Sequence, residues 1–239
     1  MKKLTTILSL GFCLTLAVEA EAQVNTNLSE EKKEELSKRP ADIVETEIGK
    51  LKLVPPFSSE SVTKESEVIG WGDKKPKAPA GFKVTKFAEN LQHPRRTYIA
   101  PNNDIFVVES NTKNSADRIT LIRDKDGDGS PDYQEVFMED LNQPYGMLVL
   151  DNYFYVANTD GLYRYPYSEG DTKIEAEGEK ILSLPAGGYN NHWTRNLLAN
   201  KDGSKIYVSV GSASNVGEYG MDKEKRRAAI LEINPDGSG

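Results

Sequence analysis

The sequence predicts an all-β protein of the β-propeller class, and three observations carry that prediction. From Gly81 onward, short runs rich in Val, Ile, Tyr and Phe recur between turns of Asn, Asp and Gly. The equivalent runs Phe106-Val-Val108, Tyr155-Val-Ala157 and Tyr207-Val-Ser209 return about every fifty residues, a period that fits propeller blades of several short strands. No long amphipathic helix interrupts them. An antiparallel sandwich is the rival arrangement of such strands.

The elements follow in order. Residues 1–22 read as a signal peptide. Lys2 and Lys3 precede an apolar stretch, residues 4–18, that is too short to span a bilayer, and Ala20-Glu-Ala22 suits cleavage before Gln23. Cys13, the single cysteine, lies inside it, so the mature chain has no disulfide or thiolate chemistry. Phe12 before it argues against lipidation. Residues 23–80 read as a lead-in or linker. It holds a short charged helix capped by Ser29 and then Pro40, Pro55-Pro56, Pro76 and Pro79.

Residues 81–239 read as the first half of a propeller. Residues 82–87 alternate with period two, as a strand would. Three groups of strands follow: 97–100, 104–109 and 118–123; then 146–150, 153–157, 161–165 and 180–184; then 194–198, 206–210 and 228–233. About three blades do not close a ring, because propellers usually have four to eight. The chain is therefore expected to be the N-terminal part of a longer protein.

Composition narrows the function. The chain has 239 residues, 28% of them charged, with a formal net charge of −7. That charge argues against a nucleic-acid partner, which selects for a basic face. No later apolar run reaches the length of a membrane span. A signal peptide on such a chain implies a periplasmic or secreted protein.

Two patterns carry chemistry. The run from Asp124 to Glu135 places Asp124, Asp126, Asp128, Gly129, Asp132 and Glu135 where a calcium loop has its ligands and its turn glycine. Its flanks read as strands rather than helices, which makes it a hairpin-borne Ca2+ loop; the rival reading is an acidic solvated turn. The second pattern is the set of loops that open each blade. Gln92-His-Pro-Arg-Arg96, Gln143-Pro-Tyr-Gly146 and Asn190-Asn-His192 hold equivalent places. In a propeller they converge at one end of the axis. Arg95 and Arg195 are candidates there for an anionic cofactor, and His192, one of two histidines, for proton transfer.

The chain resembles the glucose/sorbosone dehydrogenase family, in particular its L-sorbosone dehydrogenase and pyranose dehydrogenase branch. The matching pieces are Val68-Ile-Gly-Trp71, Ala80-Gly-Phe82, His93-Pro-Arg95, Gln143-Pro-Tyr-Gly-Met147, Asn158-Thr-Asp-Gly-Leu-Tyr-Arg164, Asn191-His-Trp-Thr-Arg-Asn196 and Ile206-Tyr-Val-Ser-Val-Gly-Ser212. Their order and spacing are more specific than any one of them.

The resemblance implies a six-bladed quinoprotein that uses pyrroloquinoline quinone (PQQ) to oxidise a hydroxyl or aldehyde hydrate of a sugar. It implies His192 as the catalytic base, Gln143 in the quinone pocket, and a cytochrome-type electron acceptor. Soluble glucose dehydrogenases carry an acidic residue where this chain has Ser212. The remaining quinone ligands and the carbonyls of a catalytic calcium are expected past Gly239. The acidic loop from Asp124 is a separate site. The rival readings are a calcium-dependent lactonase of the gluconolactonase type and a non-catalytic propeller that binds glycan or protein.

Overall fold

The computed structural model describes residues 28–59, 70, 72–186 and 192–239. The expected signal peptide with its cleavage point and Cys13 lies outside the described residues, as do Asn190 and Asn191. Among the described residues, no helix is long and apolar enough to cross a membrane.

The lead-in has more structure than its composition predicts. Helix α1 (Glu30–Ser37) starts where expected, because the Ser29 hydroxyl accepts a hydrogen bond from the Lys32 amide at 3.3 Å. Strands β1 (Ile43–Thr46) and β2 (Gly49–Lys52) then form a hairpin that the sequence reading missed. Neither strand has a buried face, so no apolar alternation announced it. After the hairpin the chain docks. Leu53 lies over Gly217 and Pro56 over Gly220. The Phe57 ring meets Tyr219 edge-on at 5.0 Å, and the Phe57 amide donates to the Glu218 carbonyl.

One expected strand is overturned. Residues 82–87 run through without joining a sheet. Phe82 is 76% exposed and Val84 44% exposed. The alternation is present, but it meets neither a core nor a neighbouring strand among the described residues.

Three antiparallel sheets make up the rest, each a meander in chain order. The first holds β3 (Pro94–Ile99), β4 (Ile105–Glu109), β5 (Arg118–Arg123) and β6 (Tyr133–Met138). The second holds β7 (Gly146–Leu150), β8 (Tyr153–Asn158), β9 (Gly161–Pro166) and β10 (Glu179–Ser183). The third holds β11 (Arg195–Ala199), β12 (Ile206–Val210) and β13 (Ala229–Ile233). The first strands touch across sheets, β7 against both β3 and β11. Sheets that meet along their first strands are propeller blades around an axis. The fold is all-β, as expected.

Two cores lie between the blades. Phe106, Val108, Ile119, Leu121 and Phe137 of the first blade face Met147, Phe154 and Val156 of the second. Leu148, Tyr155, Ala157 and Leu162 of the second face Leu197, Ile206, Val208 and Val210 of the third. Strand β8 therefore sends alternate residues into both cores. In the first core, Phe106 lies 4.7 Å from Phe137 and 4.8 Å from Phe154, in tilted and edge-on arrangements. Aromatic pairs of this kind contribute about 0.5–1.5 kcal/mol each beyond the area they bury.

Phe154 sits at the centre of this cluster with no exposed surface. Phe154→Ala is expected to destabilise the full-length protein by about 3–5 kcal/mol in urea unfolding. Ile48, 91% exposed at the tip of the β1–β2 hairpin, is the control. Ile48→Ala should stay within about 0.5 kcal/mol of the parent.

Candidate functional site

Among the described residues, the starts of β3, β7 and β11 lie near one another at one end of the blades. The Arg95 guanidinium of the first loop lies 5.3 Å from the Trp193 ring of the third. Arg96 lies 5.9 Å from the Tyr145 ring of the second. The second and third loops approach to backbone contact, because a Cβ on Gly146 would fall 2.6 Å from the Arg195 carbonyl oxygen. Only glycine fits there.

Each loop is held by its own polar clamp. In the first, Glu109 is fully buried at the end of β4. Its carboxylate accepts hydrogen bonds from Nε and Nη2 of Arg118 at 2.9 Å each, from the Thr120 hydroxyl at 2.5 Å, and from the Gln92 amide. Burial pushes this carboxyl up, but the bonds from Arg118, the Gln92 amide and Thr120 outweigh it and hold the group below its ordinary 4.5. In the second, the Gln143 amide donates to Asp117 at 3.1 Å and the Gln143 side chain to the Asn111 carbonyl at 2.9 Å.

The clamps oppose real strain. His93 and Gln143 each precede a proline and each have positive φ, 51° and 47°. Such a backbone costs about 1–3 kcal/mol and persists only where its surroundings hold it.

The third clamp is Arg195. Its side chain has no exposed surface. It donates to the carbonyls of His192 at 2.7 Å, Pro185 at 2.7 Å and Thr194 at 3.2 Å. Burial, with the Arg227 guanidinium nearby, pushes Arg195 down to about 10, so it stays charged near neutral pH. Arg195 is thus placed inside the loop that carries His192, while Arg95 is exposed at the loop surface.

His192 is exposed and lines an open cavity of about 560 Å³, with Thr194, Ser209, Gly211, Ser212, Ala228 and Ile230 among its walls. A Cβ on Gly211 would fall 2.4 Å from the His192 Cβ, so glycine is what lets the two strands' ends meet. Nδ1 of His192 lies 3.1 Å from the Ser212 carbonyl oxygen. A carbonyl can only accept, so the hydrogen-bond network assigns the proton to Nδ1 and the lone pair to Nε2.

The acidic loop is elsewhere. It joins β5 to β6, at the end of the blade opposite the opening loops. Asp124, Asp126 and Asp128 each bring a carboxylate oxygen to within 4.8 Å of the others. Gly129 has φ 87°, the sharp turn expected of it. Asp132 accepts the Lys125 amide at 2.7 Å, and Glu135 lies on β6 outside the group of three.

The profile of the TrAA12-like family matches residues 76–236, well over half of the chain. The chain belongs to the TrAA12-like family. No curated protein matches it. Among solved structures, the TrAA12-like chain is similar to the holo form of the pyranose dehydrogenase PQQ domain from Coprinopsis cinerea. The TM-score is 0.56 at 18% identity, over 67% of this chain and 38% of that one. It is also similar to the iodide and calcium structures of the Trichoderma reesei AA12 carbohydrate-active enzyme. Both give a TM-score of 0.53 at 17% identity over 66% of this chain, covering 40% and 39% of theirs. At such identities the likeness shows the fold alone. The TrAA12-like chain spans about two fifths of the length of the structures it matches.

Sequence reasoning missed Glu109 and Asp117 as site-building residues of the TrAA12-like chain. One signal was available: Glu109 is a lone carboxylate directly after the apolar run 105–108, where burial demands a partner. The sign of its pH dependence follows. Its carboxyl is lowered in the fold, so its contribution is fully present above pH 4.5 and is lost as pH falls through the folded value. Glu109→Gln removes that titration. The stability gap between parent and variant, measured by thermal unfolding, should therefore be widest at neutral pH and shrink below pH 4.5.

Proposed function

We propose that this chain forms part of a PQQ-dependent sugar dehydrogenase of the sorbosone and pyranose dehydrogenase type, exported to the periplasm or medium. The observation that carries the reading is His192. It is exposed in an open cavity, its Nδ1 faces the Ser212 carbonyl, and its loop touches the exposed Arg95. The cavity leaves room for a flat ring beside His192, although none of its described lining residues is a cation. Gly211, Ala228 and Ala229 leave room along its walls, and Arg95 over Trp193 offers a cation at the same end of the axis.

PQQ supplies a two-electron acceptor for the hydrogen and electron pair that leave the sugar carbon. In this chain, Nε2 of His192 takes the proton of the sugar hydroxyl or aldehyde hydrate. Arg95 and Gln143, whose side-chain amide also donates to the Asn111 carbonyl, would hold the quinone's edge, and Arg195 holds the His192 loop from inside. The electrons pass on to a cytochrome-type carrier.

The lactonase reading needs carboxylate ligands on the axis, and the residues lining the described cavity include none. A propeller that only binds glycan or protein is the outcome if the full-length protein takes up no quinone.

His192→Ala is expected to lower kcat of the full-length protein with PQQ and sugar by about 10²–10⁴-fold. Quinone affinity, measured by isothermal titration, should stay close to the parent's. His93→Ala is the control and should keep nearly full turnover. Parental turnover in His192→Ala would place the base elsewhere.

The acidic loop binds Ca2+ as a structural ion in this reading. Added calcium should raise the melting temperature of the full-length protein, by linkage equivalent to about 2.7 kcal/mol at a hundredfold excess over Kd. Asp126→Ala combined with Asp128→Ala should abolish the rise; an equal rise in parent and variant would make the loop a solvated turn.

A further inference from the structure

We infer that Ser212 and Glu224 form a positioning relay behind His192, one that fixes its proton on Nδ1 and keeps Nε2 as the lone-pair nitrogen. The inference rests on the reading of His192 as the base, and it adds how that base is prepared.

Ser212 offers the ring two oxygens. Its carbonyl lies 3.1 Å from Nδ1 and its hydroxyl 3.0 Å. The carbonyl has no proton to give. The hydroxyl has one, and donates it to the Ser214 carbonyl at 2.6 Å. Both oxygens are therefore left to accept, and Nδ1 must donate. A ring without such a partner samples both tautomers, and in one of them the nitrogen facing substrate carries a proton and cannot act as a base.

The Ser212 hydroxyl also bonds the Ser214 carbonyl, so the turn at 212–214 holds both oxygens toward the same nitrogen. Glu224 imposes that turn. It ends the short helical turn Met221–Glu224. One carboxylate oxygen accepts the Ala213 amide at 2.8 Å, and the other accepts the Ser214 hydroxyl at 2.9 Å. The next part of the loop is set in the same way. Glu218, nearly fully buried, accepts the amides of Asn215 at 3.2 Å and Val216 at 2.7 Å. From the other side, the His192 Cβ is held against Gly211. Neither Ser212 nor Glu224 needs to touch the sugar; both act through the imidazole.

The test uses the full-length protein free of quinone, with nitrogen-15 long-range correlation spectra of its imidazoles. His192→Ala identifies the His192 signals by their loss. The parent should show a single Nδ1–H tautomer at His192. Ser212→Ala removes the hydroxyl bond to the Ser214 carbonyl and Glu224→Ala removes both bonds to 213–214; each releases the turn that presents the Ser212 carbonyl to Nδ1, and each should shift the ring to a mixture of tautomers. With PQQ and sugar, each should lower kcat about ten- to a hundredfold while KM changes less than twofold. The double variant should be no worse than the more severe single one, because the two residues act in series. Ser212→Thr keeps the hydroxyl and should restore both tautomer and rate.

An Nε2–H tautomer in the parent overturns the relay even if the alanine variants do not fold. So does an unchanged tautomer in both alanine variants, or additive losses in the double variant. If the tautomer responds as stated but the parent oxidises no sugar, the relay stands and the dehydrogenase reading falls.

Discussion

The middle blade is buried on both faces, and the rest of the structure depends on that. Strand β8 gives Phe154 and Val156 to one core and Tyr155 and Ala157 to the other. A sheet packed on both faces cannot slip by one residue without exchanging its two cores. The registers of all three blades are thus coupled through this one strand. With registers set, the first strands β3, β7 and β11 begin at the same end, and the loops that lead into them must meet there.

Apolar packing brings the loops together, but it does not shape them. Their shape comes from charges taken out of water and answered in place. Glu109 answers Arg118 and the Gln92 amide; Arg195 answers three main-chain carbonyls; Glu224 answers an amide and a hydroxyl. Each is a buried or half-buried charge: Arg195 bonds to backbone carbonyls, Glu224 to one amide and one hydroxyl, and Glu109 mainly to the Arg118 and Thr120 side chains. Leaving such a charge unanswered is costly, so each loop is confined to a narrow set of conformations.

The fold was legible because both faces of a blade are buried. That requirement writes itself into the sequence as the runs Phe106-Val-Val108 and Tyr155-Val-Ala157. The same logic explains the failures. The β1–β2 hairpin buries neither face and so leaves no pattern, whereas residues 82–87 have the pattern and no sheet to join. In the candidate site, His192 and Arg95 stood out in the sequence as rare or charged residues in equivalent loops, and both are exposed in the fold. Their supports were not, because Glu224 lies far along the chain from the ring it orients and is an ordinary surface residue by composition. Arg195 was read as a cofactor ligand by its charge; its burial against carbonyls depends on the folded loop and could not be read from spacing.

The docked end of the lead-in bears on how the chain can be handled. Leu53, Pro56 and Phe57 rest on Gly217, Gly220 and Tyr219, within the same loop that carries Glu218 and Glu224. Residues that look like dispensable tether in the sequence therefore brace the segment behind the histidine. An engineer who trims the protein back to Gly81 to obtain a tidy propeller would strip that brace. Grafting this histidine loop onto another scaffold would likewise have to carry residues 53–57 with it, as a second, non-contiguous strip of chain.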